Sequence, residues 1–520
     1  MTIRLFRDGK INEYTVEKGI SLTEFLKREN LGFSLPCGGH GRCQNCRVRA
    51  TGELSELSFK EKEVLSHEEI GEGYRLACFT RIEGDCNIYA DEETDRIADF
   101  FVSHGDKENV SDDRLVDSSD GFGAAFDIGT TTVCGYLYDL SSGECLSRTA
   151  AKNRQTIAGG DVISRIEYAL SGKISDLQDL ICSQIDEMTV IMCKNTGISP
   201  VKISKAVICG NTAMMYFLTG RNPVSIASAP FESETLFGEY YNDLNIPSLG
   251  SAEIYLPGCI GAYVGGDITC GILSSGIYSN RDNVLMCDIG TNGEIVLATQ
   301  NGLISCSTAA GPAFEGAGLS CGMTAKDGAI CHVRIEKGKP KAEVLGDKEP
   351  EGFCGSGIID ALAVMLSLGM VDQTGRINDG YLVKNPAGED AVSMFGLFIS
   401  QRDIRNIQSG KAAICAGIKT LLAKEDLRPE DLSKVIIAGG FGTYIDPESA
   451  EMIGLIPKGL CRKSVAVGNA AAMGAVMILL SEQNRSRSAE ISLNAVAYDL
   501  STDPDFTDRY IEEMFFPEDF

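Results

Sequence analysis

Two stretches, "AAFDIGTTTVCGYLYD" (Ala124–Asp139) and "VLMCDIGTNGEIVLAT" (Val284–Thr299), carry one pattern. In each, an apolar run that reads as a strand ends in Asp-Ile-Gly-Thr, and a second apolar run follows. Such a turn exposes backbone N–H groups and a hydroxyl to a phosphate, and it places the Asp carboxylate to hold Mg²⁺ or orient a water. A single copy would mark an ordinary hairpin. Two copies predict two similar lobes facing a shared cleft. A third element, "SKVIIAGGFGTYID" (Ser433–Asp446), runs an apolar strand into Gly439-Gly440-Phe441-Gly442. Glycines there let a flat ring or a phosphate approach the backbone, although a tight strand-to-helix turn has the same signature. Every Gly-Lys pair lacks the following Ser/Thr of a P-loop, and no G-x-G-x-x-G follows a strand with an acidic partner.

The 520-residue chain is too long for one core, so several domains are expected. Its formal net charge of −26 argues against nucleic acid or an anionic membrane as partner. A nucleotide remains compatible, because backbone N–H groups bind phosphate without a basic surface. The opening "MTIRLFRDGKINEYTV" alternates like a strand and has no apolar signal region, so a cytoplasmic protein is expected. The longest apolar run, "VAVGNAAAMGAVMILL" (Val465–Leu480), contains Asn469 and is rich in Ala and Gly; it reads as a closely packed buried helix. The nineteen cysteines are expected to be thiols or metal ligands, as in a reducing and anaerobic cytosol.

The first ninety residues read strand–strand–helix–loop–strand–helix–strand–strand, with capping boxes at Ser21–Glu24 and Ser58–Glu61. The loop "LPCGGHGRCQNCRV" (Leu35–Val48) spaces its cysteines as Cys37-x5-Cys43-x2-Cys46, and Cys78 follows in "RLACFT". Four thiolates hold either Zn²⁺ or an iron–sulfur cluster. The glycine density favours the cluster, whose sulfurs accept hydrogen bonds from inward-turned N–H groups. Residues 1–92 resemble a [2Fe–2S] ferredoxin of β-grasp fold, with the five-residue first gap of the adrenodoxin-like branch. That resemblance implies Cys37, Cys43, Cys46 and Cys78 as the ligands. Between Asp91 and Gly121 there are eleven Asp/Glu against three Lys/Arg, which marks a flexible acidic linker, a spacer or a tether for a swinging cluster domain.

The two Asp-Ile-Gly-Thr turns and the Gly439–Gly442 loop together resemble the sugar kinase, heat-shock chaperone and actin superfamily. The resemblance implies two lobes of ribonuclease-H-like fold with ATP between them. The first phosphate loop would be Asp127–Thr132, with Gly129, Thr130 and Thr131; the second would be Asp288–Gly293, with Gly290, Thr291 and Asn292. Gly439, Gly440 and Gly442 would form the adenosine loop, and Asp127 and Asp288 would act around Mg²⁺. "GGDVISRI" from Gly159 and "VGNAAAMGA" from Val467 would be the connecting helices. The expected division is a ferredoxin-like domain 1–92, linker 93–121, ATPase lobes 122–280 and 281–485, and a tail 486–520 packed on the ATPase.

Further motifs narrow the resemblance: "CGNTAMM" at Cys209, "LPGCIGAYVGGDIT" at Leu256, "STAAGPAFEGAGLSCGM" at Ser307, "QRDIRNIQSGKAA" at Gln401 and the tail "DPDFTDRYIEEMFFP". Behind a ferredoxin, this set is similar to the reductive activators of corrinoid proteins. Longer members carry an extra domain before the first phosphate loop, which is missing here, and Tyr216 stands where a histidine is expected. The family resemblance implies ATP-dependent one-electron reduction of Co(II) to Co(I) in a corrinoid protein of a methyltransferase system. It also implies an unidentified low-potential electron donor and allows a homodimer. A ferredoxin-fused small-molecule kinase and an electron-transfer protein with a non-hydrolysing nucleotide scaffold are the competing readings.

Overall fold

The computed structural model describes residues 1–7, 10–28, 46–65, 67–90, 117, 119–279, 282–346, 348–440 and 445–518. The loop with Cys37 and Cys43, most of the acidic linker and Gly442 lie outside the described residues.

The N-terminal unit is a five-stranded sheet in the order β2-β1-β5-β3-β4. Its strands are β1 (Thr2–Arg7), β2 (Lys10–Thr15), β3 (Arg47–Leu54), β4 (Tyr74–Leu76) and β5 (Ile82–Ala90). β1 runs parallel to β5, and the other pairings are antiparallel. Helix α1 (Leu22–Arg28) lays Leu22, Phe25 and Leu26 on the sheet, all fully buried. The spacing of these three residues puts them on one helix face. The capping box at Ser58 opens α2 (Phe59–Val64), and its buried Glu61 pairs with Arg75 at 2.8 Å. Glu61 also accepts from Leu76 N and Thr80 Oγ1, so the buried carboxylate is satisfied. "RLACFT" is shorter as a strand than its pattern suggests: β4 ends at Leu76 and residues 77–79 turn, which lifts Cys78 out of the ladder.

The near-repeat in sequence is a repeat in topology. β6 (Phe122–Ile128), β7 (Thr132–Asp139) and β8 (Glu144–Lys152) form an antiparallel meander, and β9 (Ile203–Gly210) pairs parallel to β6. With β10 (Glu239–Tyr241) and β11 (Glu253–Leu256) the order is β10-β11-β9-β6-β7-β8. The second lobe repeats the meander as β12 (Val284–Ile289), β13 (Gly293–Thr299) and β14 (Gly302–Thr308). Here β15 (Lys434–Ala438) takes the place of β9, flanked by β16 (Ser464–Gly468), with the short β17 (Val496–Ala497) on the far edge. Asp127 and Asp288 each occupy the penultimate position of the first meander strand, so both turns emerge from equivalent sheet edges.

Helices α3 (Val162–Tyr168) and α4 (Ile174–Thr196) cover the first lobe. Between the sheets lie α5 (Gly266–Ser275) and α7 (Ala470–Leu480), the latter buried at every residue. A Cβ on Gly474 would lie 2.0 Å from Cys270 O, so the two helices pack at a distance that only glycine permits. The apolar run Val465–Leu480 is thus a half-buried strand followed by a buried helix, and among the described residues no helix is long and apolar enough to cross a membrane. The expectation for "GGDVISRI" needs correction. Its helix, α3, buries Val162 and Ile166 in the core of the first lobe, while α5, which opens on a second Gly-Gly-Asp at Gly265–Asp267, packs on α7.

Asp117, near the end of the acidic segment, is anchored: its N–H donates to Leu480 O at 3.0 Å and its carboxylate accepts from Glu482 N at 2.6 Å. The C-terminal helix α8 (Phe506–Glu513) packs on α6 (Gln401–Lys424). Gln408 Nε2 donates to Met514 O at 2.8 Å, and the buried Lys411 donates to Phe515 O.

Candidate functional site

In the N-terminal unit, Cys46 leads into β3 and Cys78 sits in the turn after β4; their sulfurs are 3.0 Å apart. Cys78 N also donates toward Cys46 Sγ at 3.4 Å. The Cys46 thiol is lowered to about 7, chiefly by the hydrogen bond from Cys78. Thiolates are the form that binds metal, so two converging sulfurs, one of them acidified, fit the ligand set of an iron–sulfur centre. Cys86, by contrast, is buried in the core with its thiol pushed up to about 11 by desolvation.

Between the lobes, one cleft is lined by Asp127, Gly129, Thr130, Thr131, Asp288, Gly290, Thr291, Asn292, Gly439 and Gly440. These are the described residues that the three motifs single out, drawn from three segments far apart in the chain. Local sterics explain two of the glycines. A Cβ at Gly129 would lie 2.7 Å from Thr132 O, and Gly439, at φ +102°, passes so close to the second loop that its Cβ would meet Ile289 O at 2.6 Å.

The cleft also holds residues without an assigned role in the motif reading. Asp267 enters from the start of α5, Glu294 from β13, and Glu315 from the short helix Pro312–Glu315 inside "AAGPAFEGAGL". Glu315 bridges the two phosphate loops: Thr291 Oγ1 donates to Oε1 at 2.8 Å, and Thr131 Oγ1 donates to Oε2. Asn469 caps α7 through Ala472 N and donates Nδ2 to Asp127 Oδ2 at 2.8 Å. The sequence signals were there, in a Gly-Gly-Asp helix start, a Gly-flanked Glu and an Asn before a helix. None of them states which cavity it will face.

No Lys or Arg lines this cleft among the described residues. Burial raises Asp127 to about 6, with the Asn469 amide opposing it. Burial and the Asp127 charge raise Asp288 to about 7, and Asp267, pressed by burial and then by both aspartates, is pushed up to about 8. Glu294 lies well above its ordinary range, first through burial. Among the described residues no three acidic, His or Cys side chains converge into a metal cage.

Tyr216 proves to be a packing anchor. Its buried hydroxyl accepts from Glu234 N at 2.8 Å and Thr235 N at 3.3 Å, pinning the loop that follows.

Twin lobes with matched Asp-Ile-Gly-Thr turns on one acidic cleft, preceded by a sheet that pairs two cysteines, define a ferredoxin joined to an ATPase of the actin and sugar-kinase fold. Comparison with known proteins agrees segment by segment: residues 5–83 match the 2Fe-2S iron-sulfur cluster binding domain, 122–280 the RACo middle region, and 282–520 the C-terminal domain of RACo, the ASKHA domain. The corrinoid activation enzyme RamQ of Eubacterium limosum is 31% identical over 94% of each chain. The [Co(II) methylated amine-specific corrinoid protein] reductase of Methanosarcina barkeri is 26% identical over 76% of each. A solved reductive activator for a corrinoid, iron-sulfur protein superposes with a TM-score of 0.71 at 30% identity, covering 99% of this chain and 98% of its own. The chain belongs to the RACo family of reductive activators of corrinoid proteins.

Proposed function

We infer that this chain returns an inactive Co(II) corrinoid protein to Co(I), using one electron from its ferredoxin domain and ATP bound between its lobes. The observation that carries this reading is the coexistence, in one chain aligned end to end with corrinoid activators, of a converging cysteine pair and a twin-loop cleft.

The residues divide the task. Cys46 and Cys78, with Cys37 and Cys43 of the preceding loop, would hold the [2Fe–2S] group, which supplies a single electron near roughly −400 mV in plant-type centres. Each 59 mV of shortfall costs about tenfold for one electron, so an uphill transfer to cobalt needs a second energy source. Asp127 and Asp288 would hold Mg²⁺ and orient the water that attacks the terminal phosphate. Thr130, Thr131, Thr291 and Asn292 would embrace the phosphates from the two lobes, while Gly439, Gly440 and Gly442 would face the adenosine. Mg²⁺ would offset the polyphosphate charge in a cleft that gathers carboxylates and, among the described residues, no basic side chain. Nucleotide binding acts on both lobes at once, so closure changes the surface offered to the Co(II) protein and couples ATP to its reduction. A separate low-potential donor reloads the cluster.

The reading is tested by iron content and EPR of anaerobically purified protein, together with ATP turnover measured with and without a Co(II) corrinoid protein. It expects a reducible two-iron signal and turnover stimulated by the partner. Iron-free protein, or turnover indifferent to the partner, contradicts it.

A further inference from the structure

The two phosphate loops are built differently. In the first, three successive carbonyls are held from behind: Asn153 Nδ2 donates to Gly129 O at 2.8 Å, Arg165 Nη2 donates to Thr130 O, and Asn153 N donates to Thr131 O at 2.8 Å. Asn153 and Arg165 are both 0% exposed. In a trans peptide the carbonyl and the next N–H point in opposite directions. Carbonyls of Gly129 and Thr130 drawn into the first lobe therefore turn the N–H groups of Thr130 and Thr131 toward the cleft that both residues line. Among the described residues neither N–H has a protein acceptor. Both loops tie a threonine hydroxyl to Glu315, Thr131 in the first and Thr291 in the second, but among the described residues no buried side chain holds the Gly290 or Thr291 carbonyl.

Arg165 is itself unusual. Its remaining hydrogen bonds go to Gly159 O at 2.8 Å and Met214 Sδ at 3.4 Å, and none goes to a carboxylate, although Asp161 and Glu315 are near enough to act on its charge. A buried charge without a hydrogen-bonded counter-ion is costly. A phosphate seated on the far side of the loop would supply the countercharge.

We propose that Asn153 and Arg165 are positioning residues that preform the first loop into an anion nest for the polyphosphate of a nucleotide. The proposal rests on the nucleotide reading above and adds to it the two residues that set the loop's backbone. Neither touches the ligand: each acts through a carbonyl.

The test measures binding of Mg·ADP and of adenosine to the full-length, cluster-loaded protein. Asn153→Ser keeps an oxygen for Gln155 N, which Asn153 Oδ1 accepts at 2.9 Å, and removes the donor to Gly129. Arg165→Lys keeps the charge and loses the fork. Each variant is expected to bind Mg·ADP about tenfold more weakly, the loss of one charge-assisted or buried hydrogen bond. Adenosine affinity and the iron–sulfur absorbance should stay at wild-type values. Mg·ADP affinity within twofold of wild type in Asn153→Ser overturns the proposal, as do equal losses for ADP and adenosine, which would mark a merely structural role. If Arg165→Lys does not fold, Asn153→Ser decides alone. A wild-type protein that binds no ADP overturns the nucleotide reading and this proposal together; wild-type binding with unaltered variants overturns this proposal only.

Discussion

Asn469, the cap of the buried helix α7, donates its side-chain amide to Asp127 Oδ2 at 2.8 Å, so the helix between the lobes and the first phosphate loop share one hydrogen bond. This bond favours the ionised form of a carboxyl that burial raises to about 6. Asn469→Ala removes it and the cap together. The cap alone contributes about 1 kcal/mol. The Asp127 carboxyl should then rise further, and the acid limb of the ATPase pH profile should move to higher pH. A pH–rate series on both proteins checks this; an unmoved limb contradicts it.

Asp267 gives a stability test. Its folded carboxyl is pushed up to about 8 from an ordinary value of 3.8, so the folded state binds the proton more tightly than the unfolded chain. Stability from this group is full below about pH 4 and is lost as pH rises toward 8. Asp267→Asn, which keeps an acceptor for Ile268 N, removes that loss. The variant should melt several degrees above wild type at pH 8, and the difference should shrink at pH 5. Melting curves at the two pH values decide the matter; a pH-independent difference goes against it.

Glu315 couples the lobes through Thr131 and Thr291. Glu315→Gln retains an acceptor for only one of the two hydroxyls. The cost should be one hydrogen bond of about 1 kcal/mol, felt during closure, so kcat should fall several-fold with little change in melting temperature. Steady-state ATPase kinetics report it. An unchanged kcat shows that the bridge plays no part in turnover.

Cys46 and Cys78 should be separable from the ATPase. Cys46→Ser or Cys78→Ser should abolish the two-iron EPR signal and corrinoid reduction while leaving nucleotide affinity within about twofold, since the thiols lie in the N-terminal unit and the nucleotide residues in the two lobes. Loss of nucleotide binding in these variants contradicts that separation.

The turns at Asp127 and Asp288 were legible in the sequence because their chemistry is local: a strand, an acid, a glycine and a hydroxyl are sufficient to say what the backbone offers. The N-terminal unit was legible for the same reason, through cysteine spacing and capping boxes. The connecting helix was not. Gly-Gly-Asp opens a helix at Gly159 and again at Gly265, and nothing local distinguishes them. In the fold, Asp161 turns back to cap its own helix at Ser164 N, whereas Asp267 reaches the cleft. Glu315, Asn153 and Arg165 escaped for a related reason: each works on a loop distant in sequence, so its role exists only once the lobes have formed.

The most direct test of the central claim follows the Co(I) absorbance of a cognate corrinoid protein, initially Co(II), mixed anaerobically with the cluster-reduced enzyme, with and without Mg·ATP. The account requires Co(I) to accumulate with Mg·ATP and to remain near background without it. Equal rates in the two mixtures would contradict it.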